Sequence, residues 1–263
     1  MAHEHGEKSP SVWAGRAIDL LLADRAAEPP TPLDLVPLPD LPRARVYLKD
    51  ESRRPSGSGA HGPARDLLLD ALREGRIDRD TPLFDAASGD LAVAQAYFAW
   101  LLGLPYTAVV PASADPAEVR AIERRGGRCR TAEPPLGDHE SARELAERAG
   151  GHFLDHRHRL ADALDWDGPY SLGAEILDAV PSAWIVMEDG VCAASVGRHL
   201  RARTASGTRL AVTTRPRTAP QAAADLTLPA PDGTRLGGAR QVLDRMRRDG
   251  TEGAGAVVVV IAR

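Results

Sequence analysis

Residues 55–64 read P-S-G-S-G-A-H-G-P-A. A strand-forming run, Arg45–Lys49, leads into this loop, and an amphipathic stretch, Pro63–Glu74, leaves it. A Gly/Ser-rich loop between a strand and a helix N-terminus presents backbone N–H groups to an anion. Within it, His61 is either a base or a hydrogen-bonding partner of the loop itself. A second group of candidates lies in G-H-F-L-D-H-R-H-R at 151–159, with His152, Asp155, His156 and His158. Imidazole and carboxylate are ordinary metal ligands and acid–base groups. The H-x-x-x-H spacing of His152 and His156 joins two imidazoles only on a helix, and this stretch reads as a strand followed by a loop. The Glu of H-E-x-x-H is absent. The expectation is therefore a solvated, arginine-studded loop and no metal site. Cys129 reads as a small buried residue at a strand start. Cys192 lies at a helix start, where a thiol pKa falls, but Glu188 and Asp189 beside it act in the opposite direction.

The elements that must position these groups alternate. Strands are expected at 83–86, 107–110, 128–131, 151–154, 183–187, 209–213 and 257–261. Helices are expected at 11–23, 91–102, 116–125, 139–149, 171–179, 193–201 and 237–248. Gly103, Gly126 and Gly150 stand where helices should end. Such alternation argues for parallel sheets covered by helices on both faces, the α/β class. Residues 1–10 read as a flexible tail and 28–43 as a proline-rich extended segment. The 263 residues are 43% hydrophobic and 27% charged, with a net charge of −4, which fits a globular chain and gives no sign of nucleic acid or anionic membrane as partner. No apolar run approaches the roughly 20 residues of a bilayer span, and the first residues lack a signal-peptide pattern, so a cytoplasmic setting is expected. Lysine occurs only at Lys8 and Lys49, and this arginine bias looks like a high-GC bacterial genome.

Several stretches carry a resemblance: V-Y-L-K-D-E-S at 46–52, A-Y-F-A-W-L-L-G-L-P at 96–105, V-P-A-S-A at 110–114, I-E-R-R-G-G-R-C at 122–129 and G-G-H-F-L-D at 150–155. With T-P-L at 31–33, L-D-W at 164–166 and W-I-V at 184–186, they resemble the fold type II pyridoxal-phosphate enzymes, and the cysteine synthase and cysteine desulfhydrase branch most of all. The resemblance implies two α/β lobes, a larger one from 1–62 plus 166–263 and a smaller one from 63–165, in a chain shortened at its C-terminus. It also implies loops 55–62, 87–91, 154–158 and 188–192 meeting in a cleft.

The same resemblance assigns the site. The family loop P-T-G-S-x-K-x-R carries the Schiff-base lysine; here that position is Ala60, and the arginine position is Gly62. Lys49 stands where active members also carry lysine and is not expected to replace it. The substrate-carboxylate loop corresponds to Ala86–Leu91 and keeps Ser88 and Gly89. Asp90, however, places a negative charge where a carboxylate would dock, a repulsion of about 4 kcal/mol at ~4 Å and an effective dielectric of ~20. The phosphate cradle G-T-G-G-T corresponds to Glu188, Asp189, Gly190, Val191 and Cys192, with one glycine kept and two carboxylates added. The segment contacting the pyridine nitrogen is expected to be missing after 224–232.

On these grounds pyridoxal phosphate binding is expected to be lost. Two readings stay open. One is a catalytically degenerate protein kept as a binding or regulatory subunit. The other is an enzyme that discarded the cofactor and uses the old cleft with His61, Asp90, His156 or Glu188; residual cofactor binding is a poor third. The family resemblance implies a homodimer, or a heteromer with an intact paralogue. The four valines of Val257–Val260, read as a sheet edge, were expected to need such cover.

Overall fold

The computed structural model describes residues 11–132, 136–203, 207–214, 224–229, 236–250 and 256–261. In chain order they form α1 (Val12–Ala27), β1 (Leu33–Val36), β2 (Val46–Asp50), α2 (His61–Arg73), β3 (Leu83–Asp85), α3 (Gly89–Leu102) and β4 (Tyr106–Val110). Then come α4 (Pro116–Arg124), β5 (Arg128–Thr131), α5 (Asp138–Ala149), β6 (His152–Phe153), α6 (His156–Ala163) and α7 (Leu172–Ala179). The remainder is β7 (Ser182–Glu188), α8 (Val191–Ala202), β8 (Arg209–Thr214), β9 (Leu226–Pro229), α9 (Gly237–Arg248) and β10 (Ala256–Ile261). The chain divides into two compact units, Met1–Glu28 with His61–Leu164, and Pro29–Ala60 with Asp165–Arg263.

In the first unit a parallel sheet runs in the order β5-β4-β3-β6. Its strands are short, and fully buried helix side chains such as Leu67, Leu68, Leu72, Phe98 and Ile122 share a core with Leu83 of β3 and Val109 of β4. Gly151 at the mouth of β6 is obligatory: a Cβ there would lie 2.4 Å from the Pro82 carbonyl oxygen. Helix α1 starts where Ser11 Oγ accepts the Ala14 N–H at 3.1 Å. It buries Ala14, Ala17 and Leu21, a helical stripe that packs beside α2. This stripe puts α1 with residues 61–164, whereas the sequence reading assigned all of 1–62 to the other lobe.

In the second unit the sheet order is β1-β2-β10-β7-β8-β9, parallel throughout except that β1 pairs antiparallel with β2. Alternate residues of β7 feed opposite faces. Ile185 and Met187 pack with Ile176 of α7 and Val196 and Leu200 of α8. Trp184 and Val186 pack with Ala239, Val242 and Met246 of α9. Three expectations are corrected here. The valine-rich β10 is not an edge; it lies between β2 and β7, so its backbone groups are paired on both sides. The extended 28–43 segment contains β1, and β9 adds an edge strand that the sequence reading did not predict. His156–Ala163 is a helix, not a loop. The tail 1–10 and residues 230–235, within the stretch where the pyridine contact was judged missing, lie outside the described residues.

Candidate functional site

In the second unit the loop that follows β2 is held by a buried ion network. Lys49, at the end of β2, is 1% exposed. Its ammonium donates to the Thr31 carbonyl at 2.9 Å and to Glu175 Oε2 at 2.9 Å, and lies 3.3 Å from Glu51 Oε1. Arg54 donates to both Glu175 oxygens at 2.8 Å and to Glu51 Oε2 at 2.9 Å. Thr31 Oγ1 donates to Glu51 Oε1. Two cations thus meet two carboxylates with their lone pairs met by donors, the condition for ionised groups to be tolerated inside a protein. An imine-forming lysine needs a free amine, and the Lys49 amine is engaged by Thr31, Glu51 and Glu175 instead.

The loop itself is well ordered by its own atoms. The Ala60 N–H donates to Ser58 Oγ at 3.0 Å, the Gly57 N–H donates to the Arg54 carbonyl at 2.7 Å, and Ser56, Ser58 and Ala60 are buried. Cys192 Sγ donates to the Gly59 carbonyl at 3.0 Å. This contact brings the 55–60 loop to the N-terminus of α8, so two of the sequence-assigned site segments do meet. Helix α8 is 12 residues long, and its first N–H groups, from Val191 onward, have no partner within the helix. Asp189 is tied back through its N–H to the Thr213 carbonyl at 3.0 Å, and neither Glu188 nor Asp189 stands without a partner.

The first unit carries its own polar centre at the carboxyl end of β3. Asp85 is fully buried. It accepts the Ala86 N–H at 2.9 Å and the Gln95 amide at 2.6 Å, and His156 Nδ1 lies 3.0 Å from Oδ2. Tyr106 donates to Gln95 Oε1 at 2.7 Å; burial and the nearby Asp85 charge push its phenol well above the ordinary range. A carboxylate only accepts, so Nδ1 of His156 carries the proton and Nε2 is left as the basic atom. The Ala86–Asp90 loop follows directly, with Gly89 in the left-handed region at φ 58° at the start of α3. Asp90, placed in the first turn of α3, complements the helix dipole there. Asp85, Gln95 and Tyr106 escaped the sequence reading because single polar letters in apolar strands and helices give no spacing signal.

The other candidates separate. His61 is 1% exposed and lies between Asp24 Oδ2 at 3.4 Å and Glu28 Oε2 at 3.7 Å, with Arg65 joining the same carboxylates at 3.4 and 3.0 Å. Burial works to raise the Asp24 carboxyl, but His61 and Arg65 outweigh it and hold it below its usual value. His61 thus ties α2 to α1 and has no open face for a substrate; Gly62 is the next residue of α2. His152 faces Arg76 at 3.5 Å; burial first, then Arg76 and Arg159, lower its pKa to about 4.

A Gly/Ser loop set against a helix N-terminus in an α/β fold is an arrangement that turns backbone N–H groups toward an anion. The sequence profile of the pyridoxal-phosphate dependent enzymes matches residues 25–259, and the chain belongs to that family. It is similar to L-cysteine desulfhydrase Cds1 of Mycobacterium tuberculosis, 37% identical over 213 residues, which cover 76% of this chain and 57% of that protein. The chain therefore spans just over half the length of that relative. The fold is similar to O-ureido-L-serine synthase, with a TM-score of 0.68 at 19% identity over 91% of this chain and 90% of that one. It is also similar to a hydrogen sulfide-producing enzyme of Fusobacterium nucleatum, with a TM-score of 0.69 at 15% identity over 94% and 96%. At such identities the structures speak for the fold alone.

These findings correct the expectation that pyridoxal phosphate is not bound: the family is pyridoxal-phosphate dependent, and binding of that cofactor is what membership implies. The donors present fit a phosphate group at the start of α8, beside the buried serines of the 55–60 loop. They do not fit a covalent link, since Ala60 has no amine and Lys49 is committed to Glu51 and Glu175. When bound, the cofactor supplies an electron sink for amino-acid chemistry.

Proposed function

We propose that this cysteine synthase/desulfhydrase-like chain holds pyridoxal phosphate reversibly, without a lysine link, and acts as a binding or regulatory subunit beside an intact enzyme of its family. The single observation that carries the reading is a buried, ordered loop with Ala60 at the position that the family resemblance assigns to the reactive lysine. Without that amine the 55–60 loop offers no group to take up and release the cofactor covalently during turnover. The ordered loop around it, set against the start of α8, supports a ligand site there. The test is equilibrium dialysis of purified protein with pyridoxal phosphate, paired with sulfide release from L-cysteine, alone and with a paralogous enzyme. Reversible binding, no turnover alone and an altered rate for the paralogue are expected. Turnover of L-cysteine by the chain alone overturns the proposal.

A second reading is favoured by the Asp85–His156 pair. In it the chain is an enzyme that moves protons with Nε2 of His156, held in one tautomer by a buried carboxylate. Activity that disappears in His156→Gln would select this reading over the first.

A further inference from the structure

We propose that His139, Asp155 and His158 form a binding site for a divalent transition-metal ion of the zinc class. The three residues come from separate places: His139 from the first turn of α5, Asp155 from the β6–α6 junction and His158 from the first turn of α6. His139 Nε2 lies 3.0 Å and His158 Nδ1 2.7 Å from the same oxygen, Asp155 Oδ1. All three ligand atoms fall within 4.8 Å of one another. Tetrahedral coordination at bond lengths of about 2.1 Å sets ligand atoms roughly 3.4 Å apart, within the span that these three ligand atoms occupy. Two neutral imidazoles and one carboxylate are a donor set for zinc, cobalt or nickel rather than for calcium or magnesium. Three protein ligands leave a fourth position for water or a small anion.

The carboxylate of Asp155 is directed to this cluster at the expense of its local duty. Asp155 is the N-cap of α6, where an aspartate ordinarily bonds the first N–H groups of the helix, yet it makes no side-chain cap bond. Among the described residues its ion-pair partners are the two histidines, while neighbouring Arg157 pairs with Asp138 and Arg159 with Glu74. One imidazole is fixed and the other adjustable: the His139 ring is half-buried and meets Phe153 edge-on at 5.0 Å, whereas the His158 side chain is 68% exposed. The remaining histidines of the segment are excluded. His152 faces Arg76, and His156 is held by Asp85. The other His–carboxylate cluster, Asp24, Glu28 and His61, already contains a cation in Arg65.

The experiment uses the full chain after chelator treatment, with His3→Ala and His5→Ala to remove two further imidazoles of the sequence. Co2+ is titrated by its visible absorption and Zn2+ by calorimetry. One equivalent is expected, weakened at least about tenfold in His139→Ala, Asp155→Asn and His158→Ala. Asparagine tolerates the left-handed backbone of residue 155, at φ 50°, so Asp155→Asn tests the carboxylate alone. His158→Ala alters an exposed side chain, and its metal-free unfolding midpoint should match the parent, which separates lost ligation from lost folding. No saturable Co2+ signal overturns the site. So does binding that all three variants leave unchanged, which would mark adventitious surface ligation.

Discussion

Replacing Lys49 by methionine keeps an unbranched side chain one atom shorter and removes its charge. In the intact protein Lys49 and Arg54 balance Glu51 and Glu175, and all four side chains are at most 9% exposed. Lys49→Met leaves two buried carboxylates facing one guanidinium, and the Thr31 carbonyl loses its donor. Removing one member of a buried, hydrogen-bonded ion pair costs about 3–5 kcal/mol, because an uncompensated charge is left behind. For a chain of this size that corresponds to a fall in unfolding midpoint on the order of 10 °C. Circular dichroism melts and urea midpoints measure it. Lys49→Met combined with Glu175→Gln should cost less than the two changes summed, by roughly 1–3 kcal/mol, since the double variant removes the stranded charge. A loss below about 1 kcal/mol, or strict additivity of the two changes, would refute the claim that this lysine is a structural tie.

Three further outcomes follow from the geometry. His152 has its folded pKa near 4, below the unfolded value of about 6.5, so the unfolded chain binds more protons between these limits. Stability should therefore fall as pH drops through that window, and a His152→Gln variant, followed by urea midpoints against pH, should show a shallower fall. Gly151→Ala should destabilise the first unit by about 1–3 kcal/mol, because its methyl meets the Pro82 carbonyl; an unchanged melt counts against that packing. Tyr106→Phe strands the Gln95 amide oxygen, an acceptor buried beside Asp85, and should cost about 1–3 kcal/mol in the same melts.

The alternation of elements was legible because each helix and strand carries its own local pattern. Helix α9 runs Gly237–Arg248 and β5 runs Arg128–Thr131, as the sequence alone suggests. Helix α6 was not legible: H-R-H-R-L-A-D-A buries only Leu160 and offers no apolar stripe. The interior place of β10 was hidden because parallel pairing is decided by distant strands, not by the four valines themselves. In the site, the assignment of Ala60 to the lysine position rests on the family resemblance, and the partners of Lys49 were not legible in the sequence. Its partners Thr31 and Glu175 are 18 and 126 residues away. His139 was missed for the same reason, lying 16 residues from Asp155.

The central proposal is that, among the described residues, this member of a pyridoxal-phosphate dependent family offers the cofactor no covalent attachment point, Ala60 standing where the resemblance places the lysine and Lys49 lying in a buried ion network. Borohydride reduction of the protein incubated with pyridoxal phosphate, followed by peptide mass mapping, tests it directly, since reduction fixes any imine permanently. The account predicts that the peptide containing Lys49 and Ala60 keeps its unmodified mass. A stoichiometric pyridoxyl adduct on Lys49 would contradict it.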